Sequence, residues 1–171
     1  MRRAVPTFLS LVVAAGLPAC SSPTSSTKTL DVTMTANPDP ATASGPTGVQ
    51  YKVTNADSTV SYYDYDYRTS FTVTIQENAG TALDITAIDL KVQQATGGIV
   101  ITPSGGDQIY FKFKSSAVTN RINAKGSADI GFDAWYDLPN GGREALVTVG
   151  FTFKDDDDNT YSKTMQVKVA P

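Results

Sequence analysis

The sequence predicts an all-β fold, and three observations carry the expectation. Apolar and polar residues alternate with a period of two through most of the chain beyond residue 49. No stretch of about ten residues sustains the helical period of about 3.6. Gly, Pro, Asn and Asp recur as turn signals at spacings of roughly 8–12 residues, the rhythm of short antiparallel strands. With 171 residues, 40% of them hydrophobic, the chain is long enough for one domain with its own core.

The first segment precedes that domain. Arg2 and Arg3 open the chain, an apolar run occupies residues 8–17, and small residues lead to Cys20. This is the layout of a secretory signal peptide over residues 1–19. Its apolar run of about 10–14 residues is shorter than the roughly 20 that span a bilayer as a helix. The residues Leu17-Pro18-Ala19-Cys20 resemble the lipobox of bacterial lipoproteins, although Pro18 stands where that family has a small or β-branched residue. The resemblance covers residues 1–20 and implies cleavage before Cys20 and acylation of its sulfur. Ser21, next in line, implies sorting to the outer membrane where the bacterium has one. Residues 20–29, small, polar and interrupted by Pro23, then read as a lipidated cysteine followed by a flexible tether.

The domain is expected over residues 30–171, with a first strand at 30–36 and a main body at 49–170. In the first strand Leu30, Val32, Met34 and Ala36 alternate with Asp31, Thr33 and Thr35. Further strands are expected at 49–54, 62–67, 71–76, 85–92, 98–102, 108–114, 128–137, 145–153 and 161–169. Within 85–92 the apolar phase slips between Ala87 and Ile88, which marks a β-bulge. Ala128, Ile130, Phe132, Ala134 and Tyr136 face inward, the turn-forming Asn140-Gly141 follows, and Ala145, Val147, Val149, Phe151 and Phe153 return, which reads as a hairpin. Met165, Val167 and Val169 set against Lys163, Gln166 and Lys168 complete an apparent antiparallel meander of the last three strands. The run Phe71-Thr-Val-Thr-Ile-Gln-Glu-Asn-Ala-Gly80, a second strand after it and a closing meander with an acidic hairpin resemble immunoglobulin-like domains of bacterial exported proteins. That resemblance covers residues 49–170 and implies an immunoglobulin-like antiparallel β-sandwich without the usual disulfide, because the chain has one Cys; a jelly roll shares the same strand spacing.

Composition removes much chemistry. With no His and a single Cys, the chain has no Ser-His-Asp or Cys-His pair and no His- or Cys-based zinc site. Its net charge is −3, and loss of Arg2 and Arg3 with residues 1–19 leaves 12 basic against 17 acidic residues, a formal −5. No basic footprint for nucleic acid exists.

Three constellations could carry function. In the run 61–68, strand alternation places Tyr63, Tyr65 and Tyr67 on one face and Tyr62, Asp64 and Asp66 on the other. That is either a rigid aromatic strip for a protein or glycan partner, or an edge strand with core tyrosines. The run Asp155-Asp156-Asp157-Asp158-Asn159 suggests calcium through Asp155, Asp157 and Asn159, helped by Asp133 or Asp137. EF-hand spacing fails, since Thr160 and Gln166 stand where Gly and Glu belong. A solvated hairpin tip is the simpler alternative. Glu77 and Glu144, the only glutamates, are the general acid/base candidates. Lys112, Lys114, Lys154, Lys163 and Lys168 fall on expected outward positions. The resulting expectation is a lipid-anchored, non-catalytic cell-envelope protein acting as a binding, adhesion or structural module. A calcium-dependent carbohydrate-binding module and a small carboxylate-based glycoside hydrolase are its alternatives.

Overall fold

The computed structural model describes residues 29–97, 100–101, 110–117, 119–138 and 141–171. The export segment, Cys20 and residues 21–28 of the tether lie outside that set. The strands, in chain order, are β1 (Val32–Asn37), β2 (Ala41–Thr42), β3 (Gln50–Thr54), β4 (Val60–Asp64), β5 (Tyr67–Glu77), β6 (Leu83–Gln94), β7 (Val100–Ile101), β8 (Phe111–Ala117), β9 (Arg121–Ile122), β10 (Ser127–Tyr136), β11 (Ala145–Asp155) and β12 (Thr160–Ala170). The protein is all-β, with no helix among the described residues.

Two sheets face each other. One has the order β1-β5-β10-β8; the other runs β2-β12-β11-β6-β7, with β9 pairing the start of β6. Every pairing is antiparallel except β2 with β12. This is the immunoglobulin order, strands ABED against GFC, extended here by β2 beside β12 and β7 beside β6. The hairpin β3–β4 belongs to neither sheet and is an addition between β2 and β5.

Alternation explains the core. Phe71, Val73 and Ile75 of β5, Ile130 and Phe132 of β10, and Val147, Val149, Phe151 and Phe153 of β11 are all buried. Phe132 stacks on Phe71 within its sheet, at 5.3 Å between centroids, and meets Phe151 of the opposite sheet edge-on at 6.2 Å. The expected bulge is present: Thr152 pairs with Ala87 and Phe153 with Ile85, so Thr86 is the extra residue that restores the inward phase of Ile85.

Three expectations are corrected, and two short strands were not expected. Residues 128–153 do not form a hairpin, because β10 and β11 lie in different sheets. β10 buries its even-numbered residues and β11 its odd-numbered ones, each toward the shared core, and the eight residues 137–144 suffice to cross a sandwich about 10 Å thick. The Tyr136 hydroxyl donates to the Arg143 carbonyl at 3.0 Å and ties that crossing together; only β11 and β12 pair as expected. Residues 62–67 are not one strand, since β4 ends at Asp64 and β5 begins at Tyr67. Lys163 does not face outward: it shares the parity of Tyr161, Met165 and Val167, and its ammonium caps the Val32 carbonyl across the seam between β12 and β1. Finally, β2 and β9 escape sequence reading because two residues each show no period.

The sandwich has two distinct ends. At one, the chain enters at Thr29 and Leu30 beside Glu77, Leu83 and Tyr161, which share a small cavity, and Asp155 pairs with Leu83. At the other, Tyr67, Tyr136 and Phe111 are aligned. The ten steps of β5 from Tyr67 to Glu77 separate the two ends by roughly 30 Å.

Phe151→Ala is expected to destabilise the domain by about 3–5 kcal/mol, the cost of a large cavity at the sheet-to-sheet contact. Equilibrium urea unfolding checks this, and a double-mutant cycle with Phe132→Leu should reveal non-additivity because the two rings touch.

Candidate functional site

The outer face of the four-stranded sheet carries the richest chemistry, and register decides which residues meet there. Trp135 on β10 lies between Arg68 on β5 and Lys112 on β8; Asp133 lies between Ser70 and Lys114; Gly131 lies between Thr72 and Ser116. These rows sit opposite the inward-facing Phe132, Ala134 and Tyr136, so the packing that buries the core fixes the outer set.

Trp135 points outward yet is only 8% exposed. Cations cover its ring: Lys112 at 5.1 Å, Arg68 at 5.4 Å and Lys114 at 6.0 Å from the centroid. Arg68 also grips Asp133 at 2.6 Å, and the Ser70 hydroxyl donates to the same carboxylate oxygen at 2.5 Å. The Ser70 and Arg68 hydrogen bonds together hold Asp133 below the usual carboxylate range. Further along the face a groove of about 330 Å³ opens over Gly131, lined by Ser70, Thr72, Ser116 and Asp133. A Cβ on Gly131 would stand 2.8 Å from the Ser116 hydroxyl oxygen, so a larger residue on the groove floor would make that hydroxyl turn away.

The hairpin β3–β4 adds tyrosines beside this face. Its turn is held by the Asp57 carboxylate, which accepts from both the Thr59 N–H and hydroxyl, and by Ser58 in a left-handed conformation at φ 66°. The resulting register sets Tyr51 against Tyr63. Tyr51 then gathers three rings: Tyr65 at 4.8 Å, Tyr63 at 5.7 Å and Tyr110 at 5.8 Å. Lys112 lies over Tyr65 at 5.4 Å, so its ammonium sits between the Tyr65 and Trp135 rings. Tyr62, Tyr63 and Tyr110 remain 64%, 50% and 46% exposed.

Titration behaviour reflects this packing. Burial pushes the Asp137 carboxyl above the usual range, against the pull of the Asp66 N–H, which donates to it at 2.5 Å, and of the Tyr51 hydroxyl. Burial and then that bond to Asp137 raise Tyr51 in turn. Burial, with the Asp137 charge second, pushes Tyr65 up to about 12. Burial first and Lys114 second hold Lys112 below the usual lysine range.

The tyrosine strip expected from alternation is therefore divided. Tyr65 is buried, with its N–H bonded to the Val49 carbonyl. Tyr67 is half-buried at the start of β5, its hydroxyl donating to the Gly141 carbonyl and Arg143 lying over its ring at 5.5 Å. Tyr63, Asp64 and Asp66 are exposed, and Tyr62 joins Tyr63 as the accessible pair. Sequence reading misses Tyr51, Tyr110, Lys112 and Trp135 as members of the cluster. The cross-strand partner of Tyr63 was legible in principle, from the Asn55-Ala-Asp-Ser-Thr59 turn that sets hairpin register; Trp135 and Lys112 meet only through long-range pairing.

The remaining carboxylates are occupied locally. Asp155 is buried at the β11–β12 turn, accepting from the Asp157 and Asn159 N–H groups, the Asn159 amide and the Tyr161 hydroxyl. The Asn159 side chain, with these other donors, outweighs burial and takes Asp155 down to about 2. Asp156 pairs with Arg121 at 2.7 Å and Asp158 with Lys154 at 2.7 Å. Asp155, Asp157 and Asn159 are thus arranged as a self-bonded turn. Asp133 and Asp137 lie far from it, at the opposite end of the sandwich, and among the described residues no group of three or more acids is disposed to hold a metal. Glu77 is buried as well: burial works against its charge, but N–H groups of Lys125, Gly80, Thr81 and Ala79 together hold it below the usual range. Glu77 closes one end of the sandwich and Glu144, just before β11, stands at the other. They are thus roughly 30 Å apart, beyond the ~5–9.5 Å of a glycosidase pair.

No family model matches the chain, and no curated protein matches it. Among solved structures, the Northeast Structural Genomics Consortium target SoR45 aligns over 81% of this chain and 86% of its own, with 10% identity and a TM-score of 0.41. The secreted serine protease VesC from Vibrio cholerae aligns over 61% of this chain and 20% of its own, with 12% identity and a TM-score of 0.34.

Glu77→Gln is expected to destabilise the domain by about 1–3 kcal/mol at neutral pH, because the amide NH2 that replaces one carboxylate oxygen cannot accept from the N–H groups facing it. The folded value of Glu77 lies below its ordinary 4.5, so its contribution is full above that pH and is lost as pH falls through the folded value. Urea unfolding at neutral pH and again well below 4.5 should show the gap between parent and variant closing in acid. At the other turn, Asp155→Ala should lower Tm while millimolar calcium leaves the parent unchanged. A calcium-dependent rise in Tm that Asp155→Ala removes would refute the self-bonded turn.

Proposed function

We propose that the chain is a lipid-anchored, non-catalytic protein of the bacterial cell envelope whose sandwich presents the end that carries Tyr62, Tyr63 and Tyr110 to a partner. One observation carries this reading. Thr29 enters the domain beside Glu77 and Tyr161, whereas the exposed tyrosines lie at the far end. A lipid on Cys20 would place the membrane at the entry end and turn the tyrosines outward, roughly 30 Å further away.

The chemistry of the exposed end suits binding. Tyrosines offer broad contact area with few rotatable bonds, and their hydroxyls tolerate water when the surface is free. Tyr51 and Tyr65 support Tyr63 from beneath, so its ring is held before a partner arrives. Two acyl chains make membrane attachment stable, and attachment raises the local concentration of the face at the membrane surface, so weak contacts suffice. In an outer membrane this geometry serves adhesion or docking of another envelope component.

The test is capture from native envelopes with the full-length chain and with a Tyr62→Ser, Tyr63→Ser variant, both melted in the same batch. The variant is expected to keep its Tm, since both rings are at least half exposed. It should lose its main partner about tenfold, as truncation of interface aromatics does. An unchanged capture list from a folded variant would remove the tyrosine end from consideration.

A further inference from the structure

Several described cations have an acid or a carbonyl as partner, Arg68 on Asp133 among them. Arg121 bridges Asp84 and Asp156, Lys154 holds Asp158, and Lys125 and Lys163 cap the carbonyls of Asn78 and Val32. Lys112 instead meets only the rings of Tyr65 and Trp135; among the described residues no carboxylate lies within ion-pairing distance of it. Neighbouring acids are already used. Asp133 is held by Arg68 and Ser70, and Asp137 by the Asp66 N–H and Tyr51. Asp66 and Asp64 are exposed beyond the tyrosines. Lys114, next along the same edge strand, adds a second ammonium over the Trp135 ring.

We infer that this outer face binds a carboxylate-bearing polysaccharide, its acid group on the Lys112 ammonium and its hydroxyls in the groove over Gly131. The inference rests on the reading of the same end as the partner surface and names the class of partner. Three features favour it. An ammonium half-withdrawn from water between two aromatic rings gains most from an anion brought against it. The groove beyond it is lined by the hydroxyls of Ser70, Thr72 and Ser116 and by one carboxylate, a set that exchanges hydrogen bonds with sugar hydroxyls. Exposed Tyr63 and Tyr110 on the other side of Lys112 supply flat surfaces for the apolar faces of sugar rings. From Gly131 to Asp137 these features line up along one strand end and its continuation over roughly 20 Å, the reach of a short oligosaccharide. A peptide adding itself as a strand would pair along the edge of β8, whereas the groove lies over Gly131 of β10, inside the sheet.

The experiment titrates the full-length chain in detergent micelles with polygalacturonate, alginate and hyaluronan, and with dextran as the neutral control. Saturable binding to at least one acidic chain, weakened by salt, and none to dextran is expected. Lys112→Met, which keeps the stem and removes the charge, should weaken binding about tenfold or more, and Lys112→Arg should retain it. Equal binding of dextran, no binding to any of the three acidic chains, or unchanged binding by folded Lys112→Met overturns the inference. Should Lys112→Met fail to fold, the salt dependence decides: binding indifferent to salt overturns the inference and binding weakened by salt sustains it. Loss of the native partner by the Tyr62→Ser, Tyr63→Ser variant together with silence on all acidic chains would sink the ligand class alone and leave the surface standing.

Discussion

The contact of Phe132 with Phe151 across the sandwich, 6.2 Å between ring centroids, is the constraint on which the outer surface depends. Strand side chains alternate strictly, so once Phe132 is inside, Gly131, Asp133 and Trp135 are outside. A slip of one residue would bury Asp133 and Trp135 and expose Phe132 and Ala134. Pairing with β5 and β8 then carries the choice sideways. Arg68 and Lys112 arrive beside Trp135 only because Phe71 and Phe111 are themselves buried. The row of cations over an outward tryptophan is therefore a consequence of core packing, without any contact of its own needed to position the strands.

Carboxylates do the local work that a disulfide or metal does in many other small domains. Glu77 gathers backbone N–H groups from its own loop and from Lys125, pinning two connections at one end. Asp155 closes the β11–β12 turn with four donors from a five-residue stretch and its neighbour Tyr161. Asp137, at the opposite end, catches the Asp66 N–H and so fixes where the chain leaves the tyrosine hairpin and enters β5. In each case a buried charge is tolerated because N–H or O–H donors replace the water it loses. The charge run at 155–158, so prominent in the sequence, is accounted for by one turn organiser and two ion pairs, with Arg121 reaching both Asp84 and Asp156.

Legibility followed the length of the alternating run. Strands β5, β10, β11 and β12 each repeat the apolar pattern over ten or more residues, and all are readable, as is the bulge at Thr86, which announces itself as a phase slip. Sheet membership was not readable. Alternation reports which residues face inward but is silent on which sheet they face from, so β10 and β11 passed for a hairpin although they oppose each other. The tyrosine run failed for a different reason: its period-two spacing is real, but the break at Tyr65 and Asp66 depends on hydrogen bonds to Val49 and Asp137, and Asp137 is about 70 residues away in sequence. Lys163 shows the same limit, since its parity was inward all along while its chemistry suggested water. An ammonium at a sheet seam can follow parity because its stem packs and its head finds a carbonyl.

The arrangement of charge along the molecule joins these points. The entry end carries the acidic turn at 155–158, and the far end carries Lys112 and Lys114 over Trp135, beside the ion-paired Asp133 and the exposed Asp64 and Asp66. A domain held by a lipid at its entry end would present that acidic turn toward anionic headgroups. Repulsion near the surface falls off within a Debye length of about 8 Å at physiological salt, so it acts on the entry end and not on a face roughly 30 Å beyond. A net negative chain anchored in that way would be held off the membrane, with Lys112 well beyond the reach of the headgroups. An acidic protein can still offer a cation on an aromatic face: Asp155, Asp156 and Asp158 are engaged within one turn, Asp133 is held by Arg68, and Lys112 stands over the tryptophan that core packing turned outward.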